Sequence, residues 1–261
     1  MEALVLASGS SGNALLVRSG DNCLMIDAGV SALQIRRRLE FFGCSPDALT
    51  AVLLTHEHSD HVRGLEVFVK RHRPPVWATP GTWAGMTVRC AAGGELVPGR
   101  TASFGSIRVT PVSTSHDARD PVALVLDDGR HRLGLCTDTG TFTGLLEQRL
   151  ADCDLLLLEA NHDVDLLRNG GYPWPLKQRI LSRLGHLGNH QAAEAVARLR
   201  SRRLRAVVGL HLSAENNQPG LVLEALHGAV AGTVPVHVVP RTEMLRISLD
   251  DGGLAFERCE L

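Results

Sequence analysis

Two mixed β-sheets covered by helices, in a single α/β domain over residues 1–261, is the fold the sequence predicts. Apolar runs of strand length alternate with helix-length stretches along the chain. Hairpin-type turns interrupt that alternation, which argues against one doubly wound parallel sheet. No internal repeat, low-complexity tract or linker divides the 261 residues, a length within reach of one large domain.

The chain opens with three short strands. EALVL (2–6) leads into the turn ASGSSGN (7–13), and ALLVRS (14–19) and NCLMIDAG (22–29) follow. Glycine and serine at 8–12 suit a turn whose backbone approaches a ligand closely; a plain hairpin connection is the alternative. SALQIRRRLEFFG (31–43) reads as a helix with Ser31 as N-cap, an apolar stripe of Leu33, Leu39 and Phe42, and Gly43 as the stop. LTAVLLT (49–55) is short enough for a buried strand, and VRGLEVFVKRH (62–72) predicts a second helix. Strands are expected at 75–79, 106–114, 122–128, 131–140 and 154–161, with a helix at 143–151 before the last. A helix over 189–203, a strand over 204–213, a helix over 219–230 and strands at 235–239 and 244–248 complete the pattern.

Directly after the apolar run at 49–55 stands HEHSDH, His56 to His61. Three histidines and an aspartate in six positions are hard to explain as ordinary surface or core residues. Imidazole and carboxylate together suit Zn, Mn or Fe. His56 and His58 point to the same side of an extended strand end, and Asp60 and His61 fall on the turn into the next helix. The spacing offers two ligands to one ion and two to another. Glu57 and Ser59 alternate with them and point away. The remaining ligands must come from other strand ends. His116 in VSTSHDARDP, Asp138 in LGLCTDTG and His211 in AVVGLHLS are each a ligand-type residue leaving a buried run.

Formal net charge is -1, so any polyanion site must be a local patch. The six cysteines form no C-x-x-C pair, no basic n-region with an apolar stretch opens the chain, and no apolar run approaches a membrane span. A cytoplasmic enzyme with reduced thiols, making no membrane contact, is the expectation.

His-x-His-x-Asp-His at His56, His58, Asp60 and His61, followed in order by His116, Asp138 and His211, resembles the metallo-β-lactamase superfamily. The early strand-end aspartate of that superfamily is matched by Asp27 in LMIDAG. The resemblance implies an αβ/βα four-layer sandwich with the metals at one edge between two sheets. SGSSGN, THEHSDH, SHDARDPVAL, TDTG, LEANHD, YPWPLKQRILS, GHLGN and HLSAENN together are similar to the YycJ/WalJ-type subfamily of bacterial cytoplasmic proteins, whose members are described as metal-dependent nucleases with 5′-to-3′ exonuclease action on DNA.

That resemblance implies a phosphodiesterase that uses a hydroxide bridging two divalent ions (Zn, Mn or Fe), with DNA as substrate. It implies His56, His58 and His116 on one ion, Asp60, His61 and His211 on the other, and Asp138 between them. Asp60 stands as both ligand and catalytic candidate. Asp27 is expected behind a ligating imidazole, fixing its tautomer, or else as a turn cap. His186 in GHLGN and His162 in EANHD are catalytic candidates for phosphate binding or leaving-group protonation, against local turn support. The turn residues Ser10, Ser11, Gly12 and Asn13 are candidates for the substrate phosphate. The arginines at 198, 200, 202, 203 and 205 are candidates for a DNA backbone, against a solvated face, and YPWP (172–175) for stacking on a terminal base, against a packing role. The rival readings are a small-molecule phosphodiesterase of the PhnP kind acting on cyclic nucleotides or sugar phosphates, lactam or thioester hydrolysis, and a non-catalytic nucleic-acid-binding member. Oligomeric state is left open.

Overall fold

The structure is a computed structural model describing residues 1–88, 90, 92–199, 203–232 and 234–260. The first half of the chain builds one sheet. Strands β1 (Glu2–Ala7), β2 (Ala14–Ser19) and β3 (Asn22–Ile26) form an antiparallel meander. Helix α1 (Ala32–Phe41) then crosses to β4 (Ala51–Leu53), and the short α2 (Ser59–Val62) and α3 (Leu65–His72) cross to β5 (Val76–Ala78). Helix α4 (Pro80–Gly85) leads to β6 (Gly93–Glu95), and β3 to β6 are parallel.

The second sheet follows the same plan. Strands β7 (Ala102–Phe104), β8 (Ile107–Ser113), β9 (Val122–Asp127) and β10 (Arg132–Cys136) are antiparallel neighbours. After α5 (Gly144–Leu150) come β11 (Leu155–Glu159), α6 (Val164–Asn169), α7 (Trp174–Ile180), α8 (Asn189–Leu199), β12 (Ala206–Leu210), α9 (Pro219–Val230) and β13 (Val236–Val238). Strands β10 to β13 are parallel. The chain returns to the first sheet with β14 (Met244–Asp250) and β15 (Gly253–Cys259), β14 pairing with β1.

Side-chain alternation divides the apolar residues among three layers. Between the sheets lie Val5, Leu15, Leu24, Ile26 and Leu53 from the first, and Leu124, Leu133, Leu135, Leu155, Leu157 and Val208 from the second. On the outer face of the first sheet, Leu16, Met25 and Val52 pack on Ile35 and Leu39 of α1 and Phe68 of α3. On the outer face of the second, Cys136, Leu156, Leu158 and Val207 pack on Leu146, Val196 and Leu226 of α5, α8 and α9. Strands buried on both faces must be apolar throughout, which is why LLLL at 155–158 carries no period.

The helix at 31–43 begins at its expected cap: Ser31 accepts from the Gln34 N–H, and Gln34 answers in a capping box. The strand expected at 49–55 is only Ala51–Leu53, because a 3₁₀ turn occupies Pro46–Ala48 and the chain leaves the ladder before His56. The helix expected at 62–72 is divided into α2 and α3. Gly64 lies at the break, where its N–H donates to Ala28 O and an added Cβ would stand 2.0 Å from Val30 O. The helix expected over 189–203 runs to Leu199, and positions 200 to 202 lie outside the described residues. Strands β6, β7 and β15 and helices α4, α6 and α7 are not anticipated in the sequence pattern, being short, glycine-bearing or of mixed polarity.

Gly29 binds the ligand-bearing turn to the first sheet. Its N–H donates to Asn13 O, and an added Cβ would lie 1.6 Å from Asp60 O. Gly29→Ala is expected to destabilise the protein by about 2–3 kcal/mol through overpacking. Urea unfolding checks this as a lower midpoint at unchanged slope; an unchanged midpoint refutes the packing argument.

Candidate metal centre

The parallel strands of both sheets deliver their C-terminal ends to one edge of the sandwich. Asp27 follows β3, His56 to His61 follow β4, His116 follows β8, Asp138 follows β10, Glu159 ends β11 and His211 follows β12. Asp27, Asp138 and His211 leave their strands with φ of 61°, 56° and 57°. This left-handed region costs most L-residues about 1–2 kcal/mol, and Asp, Asn and His tolerate it best. The two other described non-glycine residues with positive φ, Arg73 and Ala231, are helix C-caps. Among the described residues, left-handed non-glycine backbone that is not a helix end is thus confined to this centre.

The structure brings all seven expected ligands together. His56, His58 and His116 form one group, and Asp60, His61, Asp138 and His211 a second, each with ligand-type atoms within 4.8 Å of one another. His116 Nε2 lies 3.2 Å from His58 Nδ1. His61 Nε2 is 3.1 Å from Asp138 Oδ2, and His211 Nε2 is 3.3 Å from Asp60 Oδ2. Asp138 Oδ1 lies 3.7 Å from His116 Nε2, so its carboxylate stands between the groups.

Four of the five ligand rings, those of His56, His61, His116 and His211, are held from behind. His61 Nδ1 is 2.7 Å from Asp27 Oδ2, the position expected of Asp27. The Thr55 hydroxyl donates to Asp27 and also touches His56 Nδ1 at 3.1 Å. His116 Nδ1 donates to Gly185 O at 3.0 Å. His211 Nδ1 faces Glu159 Oε1 at 3.3 Å. Such partners fix ring orientation and leave the opposite nitrogen for a cation.

Glu159 is the residue that sequence reasoning missed. It is fully buried, binds His186 Nδ1 at 2.6 Å and accepts from the Thr139 N–H. With Asp138, His186 and His211 it makes a third group of ligand type. The available signal was an acid closing the apolar run LLLLE. Asp117 also went unnoticed; it lies 3.4 Å from His116 Nε2 and pairs with Arg179.

His186 lines a 180 Å³ cavity with Ser10, Asn161, Tyr172, Arg179 and Ser213. His162 is 1 % exposed, and neither of its ring nitrogens has a hydrogen-bond partner. It backs the segment carrying His186: its carbonyl accepts from the Asn189 N–H, and its Nε2 lies 3.2 Å from where a Cβ on Gly188 would stand. The turn at 8–13 is only partly disposed as expected. The Gly12 and Asn13 amides are taken by Gly9 O and Asp60 O, and Gly12 packs on Gly29 and Val30, so these two N–H groups are not available to a phosphate. Asn13 turns its side chain to Asp60 and His61, while Ser10 and Ser11 are exposed. Ser8 Oγ accepts from the His211 N–H, tying the turn to the second sheet. Of the arginines weighed as DNA contacts against a solvated face, Arg198 pairs with Glu147 and Arg203 with Asp154, while 200 and 202 lie outside the described residues.

Charge at the centre alternates. Burial opposes charging of His61, but the Asp138 and Asp27 carboxylates outweigh it and hold the imidazole well above its ordinary pKa. Burial likewise opposes His211, and Asp138 with Asp60 and Glu159 hold it up to about 10. Burial would raise Asp60 and Asp138, yet the neighbouring His211 and His61 hold both carboxyls below the usual range. Burial pushes His56 well below ordinary imidazole, with His61 adding to the effect, and pushes His162 down to about 4.

The donor set fits divalent cations. Buried His56 Nε2 has no partner within the protein, although it stands among the other ligand-type side chains. Mixed imidazole and carboxylate donors suit Zn, Mn or Fe.

Because His61 and His211 carry protons beside their carboxylates, metal loading must displace them. Calorimetric titration of metal-free protein with Zn²⁺, in buffers of different ionisation enthalpy, is expected to show net proton release and affinity that rises with pH through neutrality. Loading is also expected to raise Tm. Proton-neutral, pH-independent binding refutes this placement of the ligands.

Residues 22–211 match the family described as the beta-lactamase superfamily domain. The chain is 38 % identical over 220 residues to exodeoxyribonuclease WalJ of Streptococcus pneumoniae, covering 82 % of each chain. It is 35 % identical over 222 residues to exodeoxyribonuclease YycJ of Bacillus anthracis, covering 83 % of this chain and 84 % of that one. Among solved structures, the metallo-beta-lactamase fold protein YhfI from Bacillus subtilis shares the fold with a TM-score of 0.74 at 19 % identity, over 94 % of this chain and 98 % of that one. With its two-sheet sandwich and edge cluster of histidines and aspartates, the chain belongs to the metallo-β-lactamase superfamily and, within it, to the family of the WalJ and YycJ proteins.

Proposed function

We propose that this protein is a metal-dependent exodeoxyribonuclease hydrolysing DNA phosphodiester bonds from the 5′ end. The observation that carries the reading is the convergence of seven ligand-type side chains on one sheet edge, in a chain so similar to proteins named exodeoxyribonucleases. His56, His58 and His116 would hold one ion, Asp60, His61 and His211 the other, and Asp138 both. When bound, such ions supply a water nucleophile at neutral pH and positive charge for the phosphoryl oxygens.

The chain's own groups do the rest. Asp27, Gly185 O and Glu159 set the tautomers of His61, His116 and His211. His186, with Nδ1 bound to Glu159, has Nε2 left to hold a phosphate oxygen or pass a proton to the leaving 3′ oxygen. His162 is assigned to supporting the His186 segment rather than to proton transfer, because burial keeps it neutral and it stands behind that segment. Ser10 and Tyr172 line the cavity beside His186, where a terminal nucleotide would sit. The chain is proposed to form one domain, since β1 and β14 pair from opposite ends of the sequence. Six unpaired thiols suit the reducing cytoplasm.

End-labelled duplex DNA, single strands, RNA and a cyclic phosphodiester, each given to metal-loaded protein, test the substrate. DNA shortened from the 5′ end is expected; fast cyclic-ester turnover without DNA cleavage overturns the reading. Asp60→Ala and His116→Ala are expected to lose both bound metal and cleavage. His186→Gln is expected to keep its metal and lose about 10²–10⁴-fold in kcat. Full cleavage by His186→Gln refutes its role.

A further inference from the structure

A second cavity adjoins the centre on the far side of the Ser8–Asn13 turn. It measures 310 Å³ and is lined by Ser11, Gly12, Gln34, Arg38, Arg63 and Arg241, with Ala7 and Val30 at its base. That volume falls at the low end of the roughly 300–1,000 Å³ usual for small-ligand sites.

Its three arginines come from unrelated parts of the chain: Arg38 from α1, Arg63 from the cap after α2, and Arg241 from the turn before β14. Among the described residues none of the three is paired with a carboxylate, so their charge faces the cavity uncompensated. Arg38 is built into the wall. Its Nη1 donates to Leu6 O at 2.6 Å, while its Nε is buried and has no partner. Arg63 Nη1 donates to Ser11 O at 2.9 Å, so it braces the turn that divides this cavity from the centre. Gln34 adds an amide one helical turn from Arg38. The lining contains no acid, and a buried guanidinium nitrogen without an acceptor is costly unless an anion supplies one.

The wall between the two sites is thin. Ser10 lines the cavity beside His116 and His186, and Ser11 lines the arginine cavity. Consecutive Cα atoms lie about 3.8 Å apart. A strand with one phosphate at the metal centre therefore meets guanidinium donors for a further phosphate on the other side of this turn.

We propose that Arg38, Arg63, Arg241 and Gln34 form a phosphate-binding subsite that takes a backbone phosphate of the bound DNA strand away from the scissile bond. The guanidinium forks match phosphate oxygens, and their charge adds an electrostatic contribution without sequence preference. The subsite rests on the nuclease reading above and specifies how the strand is held.

Arg38 supports Leu6, so the test uses Arg63→Gln/Arg241→Gln, with Arg71→Gln/Arg149→Gln as an equal charge loss elsewhere. Affinity of the metal-loaded proteins for a labelled, cleavage-resistant phosphorothioate oligonucleotide is read by fluorescence anisotropy over a salt series, with metal content and Tm as controls on folding. The first variant is expected to bind about tenfold more weakly, with a salt slope shallower by about 0.7 for each single-strand phosphate it no longer neutralises. The control is expected to change the slope much less. Equal weakening in both variants overturns the subsite. Inorganic phosphate bound by wild type and not by Arg63→Gln/Arg241→Gln, with oligonucleotide affinity unchanged, also overturns it in favour of a free-anion site. Wild-type protein that cleaves no DNA sinks the nuclease reading alone, because anisotropy still decides whether these arginines hold a strand.

Discussion

The whole arrangement depends on burying opposed charges at one point. Asp27, Asp138 and Glu159 are buried carboxylates, and His56, His61, His116 and His211 are buried imidazoles, all at one sheet edge. An unpaired charge so placed costs several kcal/mol, so each must find an opposite or a hydrogen bond. The solution is alternation. Asp27 backs His61, His61 meets Asp138, and Glu159 stands between His186 and His211. The interactions that make burial tolerable also set each ring's angle and leave its outer nitrogen toward the centre. Compensation of charge and preorganisation for a cation are one arrangement here.

Strand ends make that convergence possible. Parallel strands share a direction, so β3, β4, β10, β11 and β12 release their C-terminal residues on the same side. The antiparallel halves of each sheet supply the rigid outer framework. Where the chain must turn sharply off a strand while aiming a polar side chain inward, it adopts left-handed backbone at Asp27, Asp138 and His211. Glycine would enter that conformation more readily but could carry no ligand.

Much of this was legible in the sequence for a physical reason. His56, His58, Asp60 and His61 lie within one turn, so their proximity is local and their residue types are improbable together on a plain surface. His116, Asp138 and His211 were legible through a shared context, a polar group leaving an apolar run. Glu159 shares that context, yet it reads as the ordinary polar boundary of LLLLE, and its partners His186 and His211 are distant in the chain. The arginines show the converse. The run at 198–205 is dense in charge along the chain, but Arg198 and Arg203 turn to Glu147 and Asp154. Arg38, Arg63 and Arg241 are far apart in sequence and meet only through folding. Charge density along a chain is a poor guide to charge density in space, because each side chain pairs with whatever the topology brings to it. Strand β15 was illegible because an edge strand buries little and so tolerates a mixed composition.

The turn at Ser8–Asn13 has a consequence for how the molecule comes apart. It leaves β1 in the first sheet, receives the His211 N–H from the second on Ser8 Oγ, and gives the Asn13 N–H to Asp60 O. A site whose anchors belong to both sheets, clasped by one turn, is not an independent unit of low stability. Fraying at the surface leaves it whole, and losing it requires the layers to separate. Disruption of the site and collapse of the architecture then coincide, so the ligand cluster keeps its shape for as long as the two sheets stay packed.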